Sequence, residues 1–150
     1  MGIQIILAEK NNKEIKAFEK REWQIADLEH YGKQNIDFAK KRYKFVAKNS
    51  DDKIVGILKL VIEVNLALIE TLIVSSAHRK MGIGKKLLTQ AENLAKKSKC
   101  TKVYLETNEE WDAINFYKKN GYKVTGIHEK HILNQNTLIF TKFLYGIDSV

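Results

Sequence analysis

The sequence contains no proline, a single cysteine and no long hydrophobic run. The lone Cys100 excludes an internal disulfide and a zinc site built from cysteines, so we expect a buried, unreactive thiol in a cytoplasmic protein. The longest apolar run, residues 66–74, is interrupted by Glu70 and is far shorter than the roughly 18–20 residues of a membrane span. The lack of a long apolar run favours a protein without a membrane segment. Because proline is absent, the ends of helices and strands must be inferred from Gly, Asn, Asp and Ser.

The bulk composition is that of one globular domain over residues 1–150. The chain has 150 residues, of which 44% are hydrophobic and 29% are charged. Its net charge of +8 favours an anionic partner. A phosphate-bearing cofactor, a nucleic acid and an acidic surface all remain open, because charge alone does not choose among them.

Hydrophobic periodicity predicts an α/β (α+β) fold, in which a mixed central sheet of about six to seven strands is flanked by helices. The first residues lack the charged region and cleavage site of a signal peptide, so residues 3–7 are predicted as a first strand. Residues 12–41 are predicted to be helical, with a stop at Gly32 and a second helical piece through Ile36, Ala39 and Lys40. The remaining predicted strands are residues 43–48, 54–64, 66–74, 102–106, 122–127 and 138–144. Two further helices are predicted, one that begins near Ile83 and one that spans residues 112–119.

The run of residues 66–74 is almost wholly apolar, which is typical of a central strand covered on both faces. The apolar residues that follow recur at helical spacing, and another strand begins at Lys102. A strand, helix and strand in this order predict a right-handed parallel crossover around Gly82.

The stretch HRKMGIGKKLL, residues 78–88, places four cations around two glycines at the start of a predicted helix. Cations are unfavourable at the positive end of a helix dipole, whereas glycines and free N–H groups there suit a phosphate. The Walker pattern fails, because Arg79 stands where glycine is required and Lys86 where Ser or Thr is required. The dinucleotide-binding pattern G-x-G-x-x-G fails as well, because Leu87 stands where the third glycine is required. The alternative is that the two glycines only permit tight packing.

Two motifs carry a resemblance to a known family. The span VSSAHRKMGIGKKLL, residues 74–88, resembles the pyrophosphate-binding motif (R/Q)-x-x-G-x-(G/A) of the GCN5-related N-acetyltransferases, and WDAINFYKKNGY, residues 111–122, resembles the later helix of that family. Together they cover roughly residues 54–126. The chain departs from the family pattern at Ser76, where proline is usual, and at Glu110, where asparagine is frequent and Asn108 lies two positions earlier.

The resemblance implies transfer of an acetyl group from acetyl-coenzyme A to an amine, and it implies a set of cofactor contacts. The pantetheine arm would lie along the strand that contains Leu72, Ile73 and Val74. This arrangement implies a splayed central sheet, in which the strands before and after the main helix diverge. Asn108 and Tyr117 would provide further cofactor contacts. The pyrophosphate would be held by the loop residues, which are Arg79, Lys80, Met81, Gly82, Ile83, Gly84 and Lys85.

Catalytic roles are predicted for two residues, one by the resemblance and one by its place in the strand. Tyr117 matches the tyrosine that protonates the departing thiolate, and packing in the core is the alternative explanation for this residue. Glu70 interrupts an apolar strand and is the predicted base, acting directly or through water, although a carboxylate facing solvent or paired with a lysine would look the same. Glu106 and Glu109 are weaker alternatives, and some relatives use no dedicated base.

The acceptor is not fixed by these motifs. In the family, acceptor choice comes from regions that correspond here to residues 23–41 and 128–136, and we expect a peptide or protein amine, with a small-molecule amine as the alternative. No metal is expected. A non-catalytic coenzyme A sensor and, less favoured, a basic nucleic-acid-binding module are the rival hypotheses. A homodimer is expected only if the final strand lies exposed at a sheet edge.

Overall fold

The computed structural model describes residues 2–109 and 111–145. The chain divides into two compact units, Met1–Asp37 and Phe38–Val150, and each is described by itself. The expectation of a single domain over residues 1–150 stays a prediction.

The first unit contains one helix, α1 (Lys13–Tyr31). The Asn12 side chain caps its start, because Oδ1 accepts the N–H groups of Glu14 at 2.8 Å and Ile15 at 3.3 Å. Gly32 adopts a left-handed φ of 64° and donates its N–H to the Leu28 carbonyl at 3.0 Å, which ends the helix as predicted.

Two predicted elements of this region are wrong. Residues 3–7 form no strand, because a strand needs a hydrogen-bonded neighbour and α1 is the only regular element described in their unit. The predicted helical piece through Ile36, Ala39 and Lys40 is irregular. Asn35 adopts a left-handed φ of 57° at the point where that helix would begin, and this conformation interrupts a right-handed helix.

The second unit is a six-stranded mixed sheet in the order β1-β2-β3-β4-β6-β5. Its elements follow the chain in this order: β1 (Lys41–Lys48), β2 (Ile54–Glu63), β3 (Leu66–Val74), α2 (Ile83–Lys97), β4 (Lys102–Asn108), α3 (Ala113–Lys119), β5 (Lys123–His128) and β6 (Thr137–Phe143). Strands β3 and β4 are parallel and are joined through α2, whereas the other neighbouring pairs are antiparallel. The predicted fold class and the parallel crossover are confirmed.

The final strand does not lie at a sheet edge. Strand β6 is paired with β4 on one side and with β5 on the other, so the edges of the described sheet are β1 and β5. The premise of the expected homodimer is therefore wrong, although the oligomeric state itself stays open.

The core lies between α2 and one face of the sheet. Helix α2 carries apolar residues at helical spacing, and these pack on inward-facing side chains of the strands. We call this side of the sheet the helix face and the opposite side the far face. The residues buried on the helix face include Leu58, Leu60, Ile69, Leu87, Leu88, Ala91, Ala95, Val103, Leu105 and Phe140.

Strand β3 is not covered on both faces, contrary to the prediction. Ile69 is buried on the helix face, but Glu70 is exposed and Ile73 is 57% exposed. The apolar run of β3 therefore includes side chains that stay accessible on the far face.

Candidate active site

The loop between β3 and α2 has the geometry of an anion-binding turn. Lys80 and Gly82 adopt left-handed φ values of 61° and 77°, and Gly82 is the N-cap of α2. No side chain caps this helix end. The first N–H groups of α2 are therefore available to an anion, as is the positive end of the helix dipole.

Four cations surround this helix start. Arg79, Lys80, Lys85 and Lys86 are exposed, and none forms an ion pair with a carboxylate within the described part of the chain. The Arg79 Nε–H donates to the Val74 carbonyl at 3.4 Å. The loop thus holds several uncompensated positive charges where the helix dipole already disfavours them.

The two glycines of the loop serve different purposes. Gly82 needs its left-handed φ, which a residue with a Cβ adopts only with strain. Gly84 needs its lack of a side chain, because a Cβ there would lie 3.3 Å from the Phe116 ring and 3.9 Å from Val74 Cγ2. Tight packing, the alternative raised by the sequence, therefore explains Gly84 but not Gly82.

Strands β3 and β4 diverge into a fork. Their parallel pairing ends at Ile69 and Leu105, although β3 continues to Val74 and β4 continues to Asn108. Beyond the last pair, the described residues of β3 pair with no strand other than β2. One backbone edge of residues 70–74 is therefore open to an extended ligand that adds to the sheet.

A β-bulge lies where the fork opens. Ile69 is opposite Leu60 and Thr71 is opposite Lys59, so Glu70 is the extra residue on β3. A bulge bends its strand and leaves a backbone group out of the regular ladder. The bulge thus accounts for the divergence of β3 and frees backbone groups at the same point.

Tyr117 lies on the helix face of the sheet, at 6% exposure. Its ring packs edge-on against Phe116 at 5.2 Å and Tyr122 at 5.8 Å, and its centroid lies 5.8 Å from that of Phe140. Burial raises the pKa of Tyr117 to about 12. Among the residues that the structure describes, its hydroxyl group forms no hydrogen bond and is not fully enclosed, so the protonated hydroxyl is accessible as a donor.

Glu70 lies on the far face and is held by an arginine. Its Oε1 accepts a hydrogen bond from Arg42 Nη1 at 2.7 Å. The side chains are 38% and 61% exposed, respectively, so the pair adds little to stability. An ion pair was one alternative raised above, but its partner is an arginine on β1 and not a lysine, and the role of Glu70 as a base stays a prediction.

Glu106 lies beside Glu70 on the other arm of the fork. Glu106 follows Leu105, which is buried on the helix face, so alternation places its carboxylate on the far face, where Arg42 holds Glu70. The Oε1 atom of Glu106 is 3.4 Å from His128 Nε2. The fork therefore has a carboxylate on each arm and on the face opposite Tyr117.

The Asn108 side chain is already engaged. Its Nδ2 donates to Gln135 Oε1 at 2.8 Å, and its Oδ1 accepts from Thr137 Oγ1 at 3.2 Å. These bonds tie the end of β4 to the β5–β6 loop (residues 129–136) and to the first residue of β6. The predicted cofactor contact of Asn108 stays a prediction, and these bonds leave one N–H and one Oδ1 lone pair of the amide unused.

A buried ionic network includes Tyr122, whose ring packs against Tyr117. Glu92 on α2 accepts hydrogen bonds from Tyr122 Oη at 3.1 Å and from Lys142 Nζ at 2.9 Å. Burial, followed by the charge of Glu92, raises the pKa of Tyr122. The network joins α2, β6 and Tyr122, the residue that directly precedes β5, and it thereby fixes the elements against which Tyr117 packs.

Cys100 is fully buried, as predicted, and burial raises the pKa of its thiol.

The part of the chain that the structure describes contains no group of three or more His, Cys, Asp or Glu side chains able to hold a metal ion. Among residues 2–109 and 111–145, no helix is both long enough and apolar enough to cross a bilayer.

A groove lies away from the fork, on the β1 side of α2. Its volume is about 730 Å³. It is lined mainly by apolar parts of β1 and of the first half of α2, including Phe45, Ala47, Ile83 and Leu87. The sequence patterns gave no sign of this groove, and it shares Gly82, Ile83 and Lys85 with the loop.

Sequence reasoning placed the loop, β3 and Tyr117 in one region but missed the partners of the two carboxylates. Arg42 and His128 lie far from Glu70 and Glu106 along the chain and meet them only through the order of the strands. No local pattern signals either contact, because the register across two neighbouring strands decides it.

Comparisons with known proteins agree with this geometry. The model of the acetyltransferase (GNAT) family matches residues 9–122. No protein in the curated set matched.

Solved structures share the fold. A Bacillus cereus acetyltransferase is 24% identical, with a TM-score of 0.69 over 92% of this chain and 97% of its own. A candidate streptothricin acetyltransferase from Bacillus anthracis, solved with acetyl coenzyme A, is 25% identical, with a TM-score of 0.64 over 68% and 62% of the two chains. The Escherichia coli ribosomal-protein-S18-alanine N-acetyltransferase is 14% identical, with a TM-score of 0.64 over 73% and 74%.

Proposed function

Because the chain belongs to the acetyltransferase (GNAT) family, we propose that it transfers an acetyl group from acetyl-coenzyme A directly to a primary amine of a peptide or protein. The observation that carries this proposal is the fork, which separates a protonated tyrosine on one face of the sheet from two carboxylates on the other. Transfer of an acyl group to an amine needs a proton donor at the sulfur and a proton acceptor at the nitrogen.

The loop is the proposed site for the pyrophosphate of the cofactor. The N–H groups of residues 82–85 and the uncompensated charges of Arg79, Lys80 and Lys85 offer the donors, with Met81 and Ile83 contributing backbone. The pantetheine arm would then extend along the open edge of Leu72, Ile73 and Val74 as an added strand. This path brings the thioester to the mouth of the fork.

The amine would approach from the far face and the thiolate would leave on the helix face. As the N–C bond forms and the C–S bond breaks, Tyr117 donates its proton to the departing sulfur. A pKa of about 12 keeps this hydroxyl protonated at neutral pH. A backbone N–H freed near the bulge would stabilise the oxyanion of the tetrahedral intermediate.

Glu70 is the proposed acceptor of the amine proton, directly or through a water. Arg42 engages Oε1, which leaves Oε2 for this role. No covalent intermediate on the enzyme is needed, which agrees with the full burial of Cys100.

A peptide or protein acceptor is supported by charge and by the β5–β6 loop. A net charge of +8 disfavours polyamines. The loop presents exposed apolar side chains, since Ile132 is 58% exposed and Leu133 is 89% exposed. The E. coli enzyme named above acetylates an alanine of a ribosomal protein according to its name, which fits the same class of acceptor. A cytoplasmic location would give access to such acceptors.

Thermal unfolding with three ligands tests the proposal. Coenzyme A and acetyl-coenzyme A, each at about 100 times its dissociation constant, should stabilise the protein by roughly 2.7 kcal/mol, whereas an oligonucleotide should not. Thiol release over a panel of peptide amines then separates an enzyme from a coenzyme A sensor. Stabilisation by the oligonucleotide alone would refute the proposal in favour of a nucleic-acid-binding module.

A further inference from the structure

We propose that Glu106 binds and orients the ammonium group of the acceptor, and that His128 is a positioning residue that holds the Glu106 carboxylate at the fork. This inference rests on the proposed function and deepens it, because it names the group that selects the acceptor.

The position of Glu106 is fixed by register. Ile69 and Leu105 form the last pair of β3 and β4, so Glu106 is the first residue of β4 beyond the junction. Its side chain is on the far face, together with that of Glu70. An amine that attacks a thioester at the mouth of the fork from this face approaches on the side that carries both carboxylates.

His128 reaches Glu106 from two strands away. His128 is opposite Thr137 on β6, and Thr137 is opposite Asn108 on β4, so the imidazole crosses β6 diagonally to bring Nε2 within 3.4 Å of Glu106 Oε1. The ring of His131 stacks on that of His128, with centroids 4.9 Å apart and planes 26° apart. The imidazole is therefore held from one side by a ring and directed at a carboxylate.

The β5–β6 loop is bonded to the same end of β4. Asn136 Nδ2 donates to Glu109 Oε2 at 3.0 Å, and the backbone N–H of Glu109 donates to the Asn136 carbonyl at 3.1 Å. Within the loop, the His131 N–H donates to the Gln135 carbonyl at 2.8 Å. The loop also holds Leu133 at a left-handed φ of 52°, a strained conformation that persists only where the surrounding contacts impose it.

The two carboxylates of the fork differ in their partners. Glu70 has a permanent guanidinium partner at 2.7 Å, whereas Glu106 has an imidazole at 3.4 Å, which leaves more of its hydrogen-bonding capacity unused. The other ionisable group beside Glu106 on β4 is Tyr104, whose pKa is raised by burial and then by Glu63 and Glu106. Glu106 is therefore better suited to hold an arriving cation. Glu70 receives the proton that the ammonium group loses before its nitrogen attacks, and the second N–H proton leaves through water as the amide forms and restores the Tyr117 hydroxyl.

The chemistry also predicts which amines are rejected. Peptide α-amines and lysine side chains are mostly protonated at neutral pH, so they arrive as ammonium groups. A carboxylate beside the amine, as in a free amino acid, would face Glu70 and Glu106 together. The site should accept a peptide amine and discriminate against a free amino acid.

Calorimetry on the coenzyme A-saturated protein tests the inference, with a glycine-led tripeptide amide and free glycine as probes. Glu106→Gln should weaken binding of the tripeptide amide by about tenfold, because a charge-assisted hydrogen bond is lost. His128→Leu should weaken it several-fold, and His128→Gln should restore it, because the amide can donate in place of Nε2. Lys123→Leu, on the same strand and face, is the matched control and should change nothing.

Affinity for coenzyme A should be equal in all these proteins, and the double variant Glu106→Gln/His128→Leu should bind the tripeptide amide no more weakly than Glu106→Gln. Additive losses, a parallel loss of coenzyme A affinity, failure of His128→Gln to restore binding, or equal affinity for glycine would overturn the inference. A wild-type complex that does not bind the tripeptide amide would overturn it as well.

Thiol release with the same probes separates this inference from the proposed function. Turnover that is independent of Glu106 refutes the inference and leaves the acetyltransferase intact. Amine binding that depends on Glu106 without any turnover refutes catalysis and supports the inference.

Discussion

Replacing Tyr117 with phenylalanine removes a single hydroxyl group and keeps the ring that packs in the core. The ring contacts with Phe116, Tyr122 and Phe140 are apolar and survive the change. The hydroxyl forms no hydrogen bond within the described residues, so we expect the free energy of unfolding at neutral pH to change by less than about 1 kcal/mol. Loss of a general acid should nevertheless lower kcat by about 100- to 10,000-fold.

The alkaline stability of the protein provides a second measurement on the same variant. The pKa of Tyr117 is about 12 when folded and 10 as its ordinary value, so the folded state binds this proton more tightly. Its contribution to stability is complete below pH 10 and is lost as the pH rises towards 12, by up to about 2.7 kcal/mol for a shift of this size. In Tyr117→Phe this part of the alkaline loss should disappear.

Tyr122→Phe is the matched control. Its hydroxyl donates to buried Glu92, so its removal should lower the free energy of unfolding by about 1–3 kcal/mol while kcat changes little. Turnover is followed by thiol release and stability by denaturant unfolding. A Tyr117→Phe protein that binds coenzyme A and keeps wild-type turnover would refute the assignment of this residue as the proton donor.

Four further substitutions test other parts of the structure. Gly82→Ala imposes a Cβ at a φ of 77°, so it should cost about 1–2 kcal/mol of stability and weaken coenzyme A binding in calorimetry; unchanged values for both would contradict a left-handed N-cap. Lys85→Gln should weaken coenzyme A binding more at low than at high ionic strength, without lowering the stability of the free protein; a salt-independent effect would argue against a charge contact. Cys100→Ser should cost about 1–3 kcal/mol through a buried hydroxyl and leave turnover intact, whereas loss of turnover in the folded variant would indicate a covalent role for the thiol. Lys142→Met leaves the buried carboxylate of Glu92 without its cation and should destabilise the protein by at least about 1 kcal/mol in denaturant unfolding; no change would mean that the pair is not formed in solution.

The regular elements of the second unit could be predicted from the sequence because their signals are local. The helix after Gly82 and the strand before it show the periodicity of 3.6 residues and the continuous apolar run that identify such elements. Residues 3–7 show how such a signal fails, since an apolar run reports a preference for burial and not the presence of a strand to pair with.

The site was predictable only where it depends on a contiguous motif. The loop at Gly82 was found, and its anion-binding geometry follows from backbone angles that glycine permits. The second glycine was explained only by the structure, because its neighbour Phe116 comes from another helix. Likewise, the partners of Glu70 and Glu106 depend on strand order and on a bulge, neither of which a single sequence specifies.

The structure of the protein bound to coenzyme A is the most direct test of the proposed site. We expect the pyrophosphate against the N–H groups of residues 82–85, the pantetheine arm between β3 and β4, and the sulfur near the Tyr117 hydroxyl. Coenzyme A bound in the groove between β1 and α2, with the fork empty and its strand edges free, would contradict the proposed function.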